Sequence, residues 1–278
     1  MQRFLLGILL VLLAISYFIR RAVRSLKTRV TGEPSPTRPS TRIFPTDTLA
    51  KASQYDVPIP TYDELGCVNA WRYMWLWTPR RSSVLDVGCS TGYLGAWLAQ
   101  TRECVVDGVE IDPRDRTIAA KRLHTVYDVN LENPDSHKQI PNRYDVILLM
   151  DVLEHVRNPD LMLAQIKQLL KPEGVLIVNV PNVANWQLRF SLLRGRWDYQ
   201  DTGLLDRTHV YFYTISTLQE RLERNGWRIG ILQPSLPADR LFTHDFSGSA
   251  WRQRIVKACC QAFPGLLAYQ ITALARPD

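Results

Sequence analysis

The sequence predicts an α/β fold built around a mostly parallel sheet. Nearly continuous apolar runs of strand length occur at residues 83–87, 104–111, 144–150, 174–180, 227–232 and 267–275, and amphipathic stretches of helical length separate the earlier ones. Strands that are apolar on both faces and alternate with helices are typical of a sheet covered by helices on both sides. With 278 residues, 46% of them hydrophobic, the chain is long enough to bury such a core.

The net charge of +7 lies in one segment of the chain. Residues 1–42 carry eight basic side chains and one acidic side chain, and the remaining residues carry 26 of each sign. A nucleic-acid-binding fold would need its basic residues on the folded domain itself. The balanced domain therefore makes a nucleic-acid partner unexpected.

The N-terminal segment has the pattern of a membrane anchor. Residues 4–19 are uncharged and mostly Leu, Ile, Val and Phe, and basic residues follow at once from Arg20 onward. This run is just short of the roughly 17 to 25 residues of a spanning helix. A cleaved signal peptide would carry its positive charge before the run, and an interfacial helix would have a charged face. We expect residues 1–30 to form a single-pass anchor with a basic flank, which the positive-inside rule places on the cytoplasmic side.

The segment after the anchor separates it from the globular domain. Residues 31–66 contain six of the 17 prolines, which predicts an extended linker, and residues 67–278 form the predicted domain. The five cysteines are odd in number and show no C-x-x-C spacing. We therefore expect neither a disulfide framework nor a zinc site, and no metal is assigned.

The loop after the first predicted strand has the composition of a ligand-binding turn. It contains Asp86, Gly88 and Gly92 before a helix, and small residues followed by a helix start let a ligand approach the backbone. It lacks the lysine of a P-loop and does not match G-x-G-x-x-G. Glu110 follows 22 residues after Gly88, at the end of the second strand, where an acid can accept hydrogen bonds from a ribose diol. Asp112 is the expected N-cap of the next helix.

Together with YDVILLMDVLEHV at 144–156 and LKPEGVL at 170–176, these motifs resemble the class I S-adenosylmethionine-dependent methyltransferases. The resemblance covers about residues 84–232. It implies S-adenosyl-L-methionine as the cofactor. It also implies a Rossmann-like, seven-stranded sheet whose last strand, 267–275, is inserted antiparallel.

The resemblance also assigns cofactor contacts to the ends of the predicted strands. Those of the methionine moiety are Asp86, Gly88, Ser90 and Gly92. Those of the ribose and adenine are Glu110, Ile111, Asn130 and Leu131. Those beside the transferred methyl group are Met150 and Asp151, and Asp151 is also a candidate catalytic residue. Ser90 stands where many relatives have glycine, so we expect at most weaker or re-angled binding there.

Transfer to a hydroxyl group requires a base, and two histidines are candidates. His155 follows the fourth strand, and His209 lies in segment 203–214, which resembles a segment of bacterial methyltransferases of cell-surface glycan and related pathways. Either could instead cap a helix or bond a backbone carbonyl, so both interpretations stay open. Two insertions, 181–214 and 234–264, are placed on the acceptor side. The first combines aromatic residues with arginines, which suits a sugar beside an anionic group or a helix packed on the domain.

Several functions are compatible with these features. The leading expectation is a membrane-anchored methyltransferase that O-methylates a cell-surface glycan or glycolipid precursor at the inner face of a bacterial inner membrane. A quinone or isoprenoid-type small molecule is the alternative acceptor, because quinone methyltransferases share the Glu-His pair after the fourth strand. A non-catalytic cofactor-binding module and a nicotinamide-dependent oxidoreductase are further alternatives. The acceptor atom and the oligomeric state stay open.

Overall fold

The structure is a computed structural model, and it describes residues 68–236 and 250–278. The predicted anchor 1–30 and linker 31–66 lie outside the described residues. Within the described ranges, no helix combines the length and the apolar character that crossing a membrane requires.

The described residues form one seven-stranded sheet in the order β3-β2-β1-β4-β5-β7-β6. Its strands are β1 (Ser83–Val87), β2 (Val105–Val109), β3 (Thr125–Tyr127), β4 (Tyr144–Met150), β5 (Leu170–Pro181), β6 (Trp227–Ser235) and β7 (Gln270–Pro277). The first five strands pair in parallel, and β7 runs antiparallel between β5 and β6. The predicted sheet with an antiparallel last strand is confirmed.

The strand boundaries differ from the sequence prediction where polar residues enter the sheet. The apolar pattern does not mark β3, a strand of three partly buried residues at the sheet edge. Strand β5 begins at Leu170 rather than at 174, and its register with β4 shifts between Tyr144 and Val146. The exposed pair Pro172 and Glu173 interrupts the apolar run at that point. The run that predicts β7 starts three residues early because 264–267 form a short helix.

Helices connect and cover the strands. They are α1 (Ala70–Trp77), α2 (Tyr93–Arg102), α3 (Pro113–Ala119), α4 (Pro159–Lys167), α5 (Trp186–Leu193), α6 (Ile215–Arg224), α7 (Ala250–Ala262) and α8 (Pro264–Leu267), with a 3₁₀ turn at Ser136–Gln139. Asp112 caps α3 by accepting from the backbone N–H groups of Arg114 and Asp115, and Pro113 opens the helix. The structural role predicted for Asp112 is confirmed.

Both faces of the sheet are buried, which explains the unbroken apolar runs. Along β1 and β4, consecutive side chains belong to different hydrophobic clusters: Val84 and Val146 pack on one side, and Leu85 and Ile147 on the other. Of the predicted insertion 181–214, residues 186–193 form α5. In the predicted insertion 234–264, residues 234 and 235 are the last two residues of β6. Its C-terminal part consists of α7 and the first residue of α8, and residues 237–249 lie outside the described residues.

Candidate functional site

The strand order places a ligand site between β1 and β4. The chain proceeds from β1 through β2 and β3 on one side, and from β4 through β5 on the other. Ligands of such sheets bind outside the carboxyl ends of the strands at the point where the order reverses. The loops that follow β1, β2 and β4 meet there, and they carry most of the predicted site residues.

The loop after β1 is held in a conformation that requires small residues. The N–H groups of Gly88 and Cys89 both donate to the carbonyl of Val109, at 2.8 and 3.1 Å, which ties the loop to the end of β2. Gly88 has a φ of 69°. A Cβ atom there would lie 2.7 Å from a methyl group of Val152, in the loop after β4. The exposed backbone of Gly88 is therefore open to a ligand only because no side chain is present.

Ser90 adopts a left-handed conformation, with a φ of 49°. This backbone region favours glycine, which accounts physically for glycine at this position in related loops. The hydroxyl of Ser90 donates to Asp115 at 2.8 Å, and its N–H donates to Glu110 Oε2 at 2.8 Å. Two hydrogen bonds thus accompany the strained residue.

Glu110 is oriented by backbone donors at the end of β2. Its Oε2 accepts from Ser90 N and its Oε1 accepts from Asp112 N, both at 2.8 Å. Each carboxylate oxygen has a second lone pair that remains available to a ligand hydroxyl. The adjacent Ile111 side chain is 61% exposed. An apolar side chain beside an oriented carboxylate is compatible with an adenosine group.

Asn130 and Leu131 differ in their placement. Asn130 is exposed, and its Oδ1 accepts from Glu132 N at 2.9 Å. Leu131 is only 2% exposed and belongs to the hydrophobic core. Of the predicted pair, only the Asn130 side chain is therefore open to a ligand.

Asp86 is a buried carboxylate. It is 2% exposed, and its Oδ2 has no hydrogen-bond partner in the described part of the chain. Burial raises the pKa of Asp86 to about 7, and the charge of Glu110 adds to the shift. A cationic ligand group would relieve both effects, and the methionine moiety of S-adenosylmethionine carries an ammonium group. With the bare backbone at Gly88 and the oriented Glu110, the residues present fit this cofactor.

Met150 ends β4 and Asp151 follows it directly, but the Asp151 side chain is hydrogen-bonded to side chains of β5 and β7. Its Oδ1 accepts from Asn179 Nδ2 and Gln270 Nε2, both at 2.7 Å. Burial raises its pKa to about 7, although the two amide hydrogen bonds act in the opposite direction. Sequence reasoning missed both amides. Asn179 is a lone polar residue inside the apolar run of β5, which is a usable signal, whereas Gln270 is distant in sequence and gives none.

The structure brings the two predicted histidines together. The ring centroids of His155 and His209 are 4.8 Å apart, in an edge-to-face arrangement. The carbonyl of Glu154 accepts from Val210 N at 2.8 Å and from Tyr211 N at 3.0 Å, which fastens segment 203–214 to the loop after β4. Burial lowers the pKa of His155. Burial and then the neighbouring His155 lower the pKa of His209, so both rings are neutral at neutral pH.

Each histidine has a defined partner at Nδ1. His155 Nδ1 lies 3.0 Å from Thr208 Oγ1 and 3.3 Å from the Thr208 carbonyl oxygen. His209 Nδ1 lies 3.3 Å from the carbonyl oxygen of Leu204. A carbonyl can only accept, so these contacts favour a hydrogen on Nδ1 in both rings and a lone pair on Nε2.

Glu154, between the two predicted catalytic residues of this loop, is the least satisfied group of the site. It is 1% exposed, and neither carboxylate oxygen has a hydrogen-bond partner among the described residues. Burial raises its pKa well above the usual value, and the charges of Asp151 and Asp206 add to this. One atom each of Glu154, His155 and His209 lies within 4.8 Å of the others. Such a group can share a proton, and a divalent cation is the alternative occupant.

Asp206 and Thr208 were not identified as functional from the sequence. Asp206 is 4% exposed, and its Oδ1 accepts from the N–H of Thr208 at 2.8 Å and from its hydroxyl at 2.6 Å. Burial acts to raise the pKa of Asp206, but the hydrogen bonds from Thr208 and the nearby imidazoles lower it overall. The signal in the sequence is the spacing Asp-x-Thr, in which the acid can bond the backbone two residues on.

Comparisons with known proteins identify the family of the chain. A family model described as a methyltransferase domain matches residues 66–230, more than half of the chain. The chain is 30% identical to the ubiquinone biosynthesis O-methyltransferase of Rhodopseudomonas palustris (strain TIE-1) over 151 residues, which cover 51% of this chain and 56% of that protein. It is 30% identical to the ubiquinone biosynthesis O-methyltransferase of Nitrobacter winogradskyi over 167 residues, or 55% and 58% of the two chains. The chain thus spans little more than half the length of these relatives.

A solved structure shows the same fold. The SAM-dependent methyltransferase and possible histamine N-methyltransferase of Thermotoga maritima matches with a TM-score of 0.52 and 16% identity, over 78% of this chain and 92% of that one. At this identity, the likeness concerns the fold and not the acceptor.

Proposed function

This chain belongs to the methyltransferase-domain family of class I S-adenosylmethionine-dependent enzymes, and from this we propose that it methylates a hydroxyl group of a quinone-type small molecule. The observation that carries the proposal is the pair of neutral histidines, His155 and His209, at the carboxyl end of β4. His155 lies in the loop after β4, which also places Val152 against the loop at Gly88 that fits the cofactor. A hydroxyl acceptor must lose a proton during the transfer, and neutral imidazoles are suited to take it.

The protein has two tasks in this reaction. S-adenosylmethionine, when bound, supplies a methyl group that its sulfonium has already activated. Asp86 and Glu110 hold the charged and ribose parts of that cofactor, and the bare loop at Gly88 admits it. The remaining task is to align the acceptor, exclude water and accept one proton, which falls to the loop after β4 and to segment 203–214.

The histidine pKa values favour a phenolic acceptor over a sugar. Both imidazoles have lowered pKa values and are therefore weak bases. A phenolic hydroxyl, with a pKa of about 10 like that of tyrosine, gives up its proton to a weak base far more readily than an aliphatic hydroxyl. The relatives named ubiquinone biosynthesis O-methyltransferases support the same class of acceptor.

A glycan or glycolipid hydroxyl is the second candidate. Segment 181–214 exposes Trp197 and Tyr199, at 36% and 45%, near the exposed Arg194 and Arg196. Aromatic faces with cationic neighbours suit a sugar that carries an anionic group. The names of the relatives from Rhodopseudomonas and Nitrobacter refer to no glycan, so we place this acceptor after the quinone type.

We further propose that residues 1–30 attach the chain to a bacterial inner membrane, with the methyltransferase domain on the cytoplasmic side. The support is the uncharged run 4–19 and the basic cluster after it. An acceptor with a long apolar tail would itself lie in the membrane. Fractionation of the whole chain and of a chain lacking residues 1–30 tests this, and an equal soluble share of both would contradict it.

The decisive experiment follows a labelled methyl group. The whole chain is incubated with labelled S-adenosylmethionine and, in parallel, with a prenylated phenol or with a bacterial glycolipid extract. Label in an ether of the phenol supports the proposal, and label only in glycolipid replaces it by the second candidate. Calorimetry against S-adenosylmethionine and NAD is the control. Saturable binding without transfer to any acceptor would indicate a non-catalytic module, and binding of NAD alone would indicate an oxidoreductase.

A further inference from the structure

We propose that Asp206, acting through the hydroxyl of Thr208, is a positioning residue that holds His155 with its Nε2 free to take the proton of the acceptor. This inference rests on the proposed function, because it says how one of the two candidate bases is prepared. Asp206 and Thr208 lie in segment 203–214, more than 50 positions after His155, so the contact exists only in the folded chain.

The direction of each hydrogen bond follows from what the groups can donate. The Thr208 hydroxyl has one proton and lies 2.6 Å from Asp206 Oδ1. An ionised carboxylate can only accept, so the hydroxyl proton points to Asp206. Thr208 Oγ1 is then limited to accepting from His155 Nδ1, 3.0 Å away. In the neutral ring, the single hydrogen therefore lies on Nδ1 and the lone pair on Nε2.

Two further observations support this assignment. The Thr208 carbonyl oxygen is also close to His155 Nδ1, at 3.3 Å, and it can only accept. Asp206 is kept ionised despite its burial, because Thr208 N donates to the same oxygen at 2.8 Å and the hydrogen bonds lower its pKa. The hydrogen of the neutral His155 ring therefore lies on Nδ1.

The comparison with His209 shows what Asp206 adds. His209 Nδ1 faces a carbonyl oxygen, that of Leu204, at 3.3 Å, and no hydroxyl–carboxylate pair among the described residues stands behind that contact. The negative charge of Asp206 stabilises a proton on either ring. His155, however, is connected to it by a chain of directed hydrogen bonds. We therefore assign the proton-accepting role to His155 and a neighbouring role to His209.

The proposed step is balanced. The acceptor oxygen forms a bond to the methyl carbon, the bond between that carbon and the sulfonium sulfur breaks, and the sulfur keeps the electron pair. The hydroxyl proton moves to His155 Nε2, and the resulting imidazolium donates through Nδ1 to Thr208 Oγ1. The proton leaves to solvent after the methylated product has departed.

A purely structural role for Asp206 would be to fasten segment 203–214. That segment is also held by Val210 N and Tyr211 N, which donate to the carbonyl of Glu154 at 2.8 and 3.0 Å. The test must therefore measure the histidine itself. Nitrogen-15 NMR of the whole chain with labelled histidine distinguishes a protonated from an unprotonated ring nitrogen, and His155→Gln assigns the signals.

The expected NMR result does not depend on the acceptor. In the unsubstituted chain, His155 carries its hydrogen on Nδ1. In Thr208→Val and in Asp206→Asn, the signals shift toward a mixture of the two tautomers, and Thr208→Ser returns them to the original position. A hydrogen on Nε2 in the unsubstituted chain, or no change in Thr208→Val, would overturn the inference even if the methyl transfer is confirmed.

The kinetic result separates this inference from the proposed function. Thr208→Val is expected to lower kcat roughly 10-fold, a part of the roughly 100- to 10,000-fold that a general base contributes, because the base stays in place and only its orientation is lost. Affinity for S-adenosylmethionine should be unchanged, and Thr208→Ser should recover most of the loss. Thr117→Val, a substitution of the same type at an exposed position of α3, is the matched control and keeps kcat. If kcat is unchanged in His155→Gln, His155 is not the base and this inference is overturned, although the NMR assignment of the tautomer still holds. If Thr208→Val fails to fold, the tautomer of the unsubstituted chain and the kcat of Asp206→Asn decide.

Discussion

The cofactor half of the site, residues 86–92 and 110–112, and the acceptor half, residues 151–156 and 203–214, are built on opposite principles. In the cofactor half, short loops next to β1 and β2 bond to each other, as Glu110 does with Ser90 N and Asp112 N. Asp86 is the exception in this half, because its Oδ2 has no hydrogen-bond partner among the described residues. In the acceptor half, two segments about 50 residues apart in the sequence meet and bury carboxyl groups whose like charges repel one another. Glu154 lies near Asp151 and Asp206, and neither of its carboxylate oxygens has a hydrogen-bond partner among the described residues.

The difference indicates that the acceptor half contains buried groups that destabilise the folded chain because the reaction requires them. Holding the ribose of a nucleoside needs loops whose hydrogen bonds are already made, as those of Glu110 are, whereas moving a proton needs groups whose charges are not already neutralised. The acceptor half also determines which molecule is methylated. Substitutions in one half should therefore change different quantities from substitutions in the other.

The largest effect is expected from removing both histidines. His155→Gln with His209→Gln should lower kcat roughly 100- to 10,000-fold, the contribution of a general base, and leave the dissociation constant for S-adenosylmethionine unchanged. Steady-state kinetics with a phenolic acceptor, combined with calorimetry, measures both quantities. His137→Gln, which removes a histidine bonded to Gln165 on the 3₁₀ turn, is the matched control. A double variant with full kcat would place the base elsewhere.

The cofactor half should respond in affinity and not in rate. Glu110→Ala removes the acceptor of two backbone hydrogen bonds and of the ribose hydroxyls. Because hydrogen bonds to charged groups contribute about 1.5 to 3 kcal/mol, the dissociation constant for S-adenosylmethionine should rise roughly 10- to 100-fold, with kcat retained at saturation. Glu173→Ala, at an exposed position of β5, is the control. An unchanged dissociation constant would show that Glu110 only shapes the loop.

The two halves also differ in how far the sequence predicts them. Asp86, Gly88, Glu110 and the cap Asp112 lie in short motifs whose spacing reflects local geometry, so their placement follows from the sequence. The partners of Asp151, namely Asn179 and Gln270, come from β5 and β7, and only the sheet order brings them together. No local pattern encodes that contact. Likewise, the apolar runs predict the central strands because both faces are buried, but they miss β3, which is short and lies at the edge.

The pH dependence of kcat/KM for the acceptor, measured at saturating S-adenosylmethionine, reports on the acceptor half. The pKa values of His155 and His209 lie below the usual 6.5, and the base must be neutral. The groups that face them are Glu154, Asp206 and, for each ring, the other histidine. Hence kcat/KM should be constant at neutral pH and fall about tenfold per pH unit once the pH drops below the lowered pKa. Affinity for S-adenosylmethionine, measured over the same range, separates the titration of Asp86, whose pKa is about 7, from that of the histidines. An acidic limb that begins above pH 7 would contradict the lowered values.

The burial of Glu154 should lower the free energy of unfolding at high pH. Its folded-state pKa is raised, so its protonated form is favoured by folding. The free energy of unfolding is then highest below the unfolded-state pKa and declines as the pH rises, by about 1.4 kcal/mol per unit, until the folded-state pKa is reached. Glu154→Gln removes this decline and should raise Tm at pH 8 by several degrees relative to the unsubstituted chain, with little change near pH 4. Differential scanning calorimetry at the two pH values, with and without a chelator, measures this. The variant could instead have the lower Tm at pH 8, and the chelator could lower the Tm of the unsubstituted chain by the same amount. These two results together would indicate a bound cation.

The smallest effect is expected at Ser90, in the cofactor half, where its N–H and hydroxyl both have hydrogen-bond partners. Ser90→Gly relieves a left-handed conformation that costs a residue with a Cβ about 1 to 2 kcal/mol, but it loses the hydrogen bond to Asp115 and gains freedom in the unfolded chain. These contributions nearly cancel, so the free energy of unfolding should change by less than about 1 kcal/mol. The affinity for S-adenosylmethionine should change less than about threefold. Ser90→Ala keeps the strained backbone and loses the same bond, and it should be the less stable of the two. An affinity that rises tenfold or more in Ser90→Gly would mean that the serine, unlike its neighbours in the cofactor half, restricts cofactor binding.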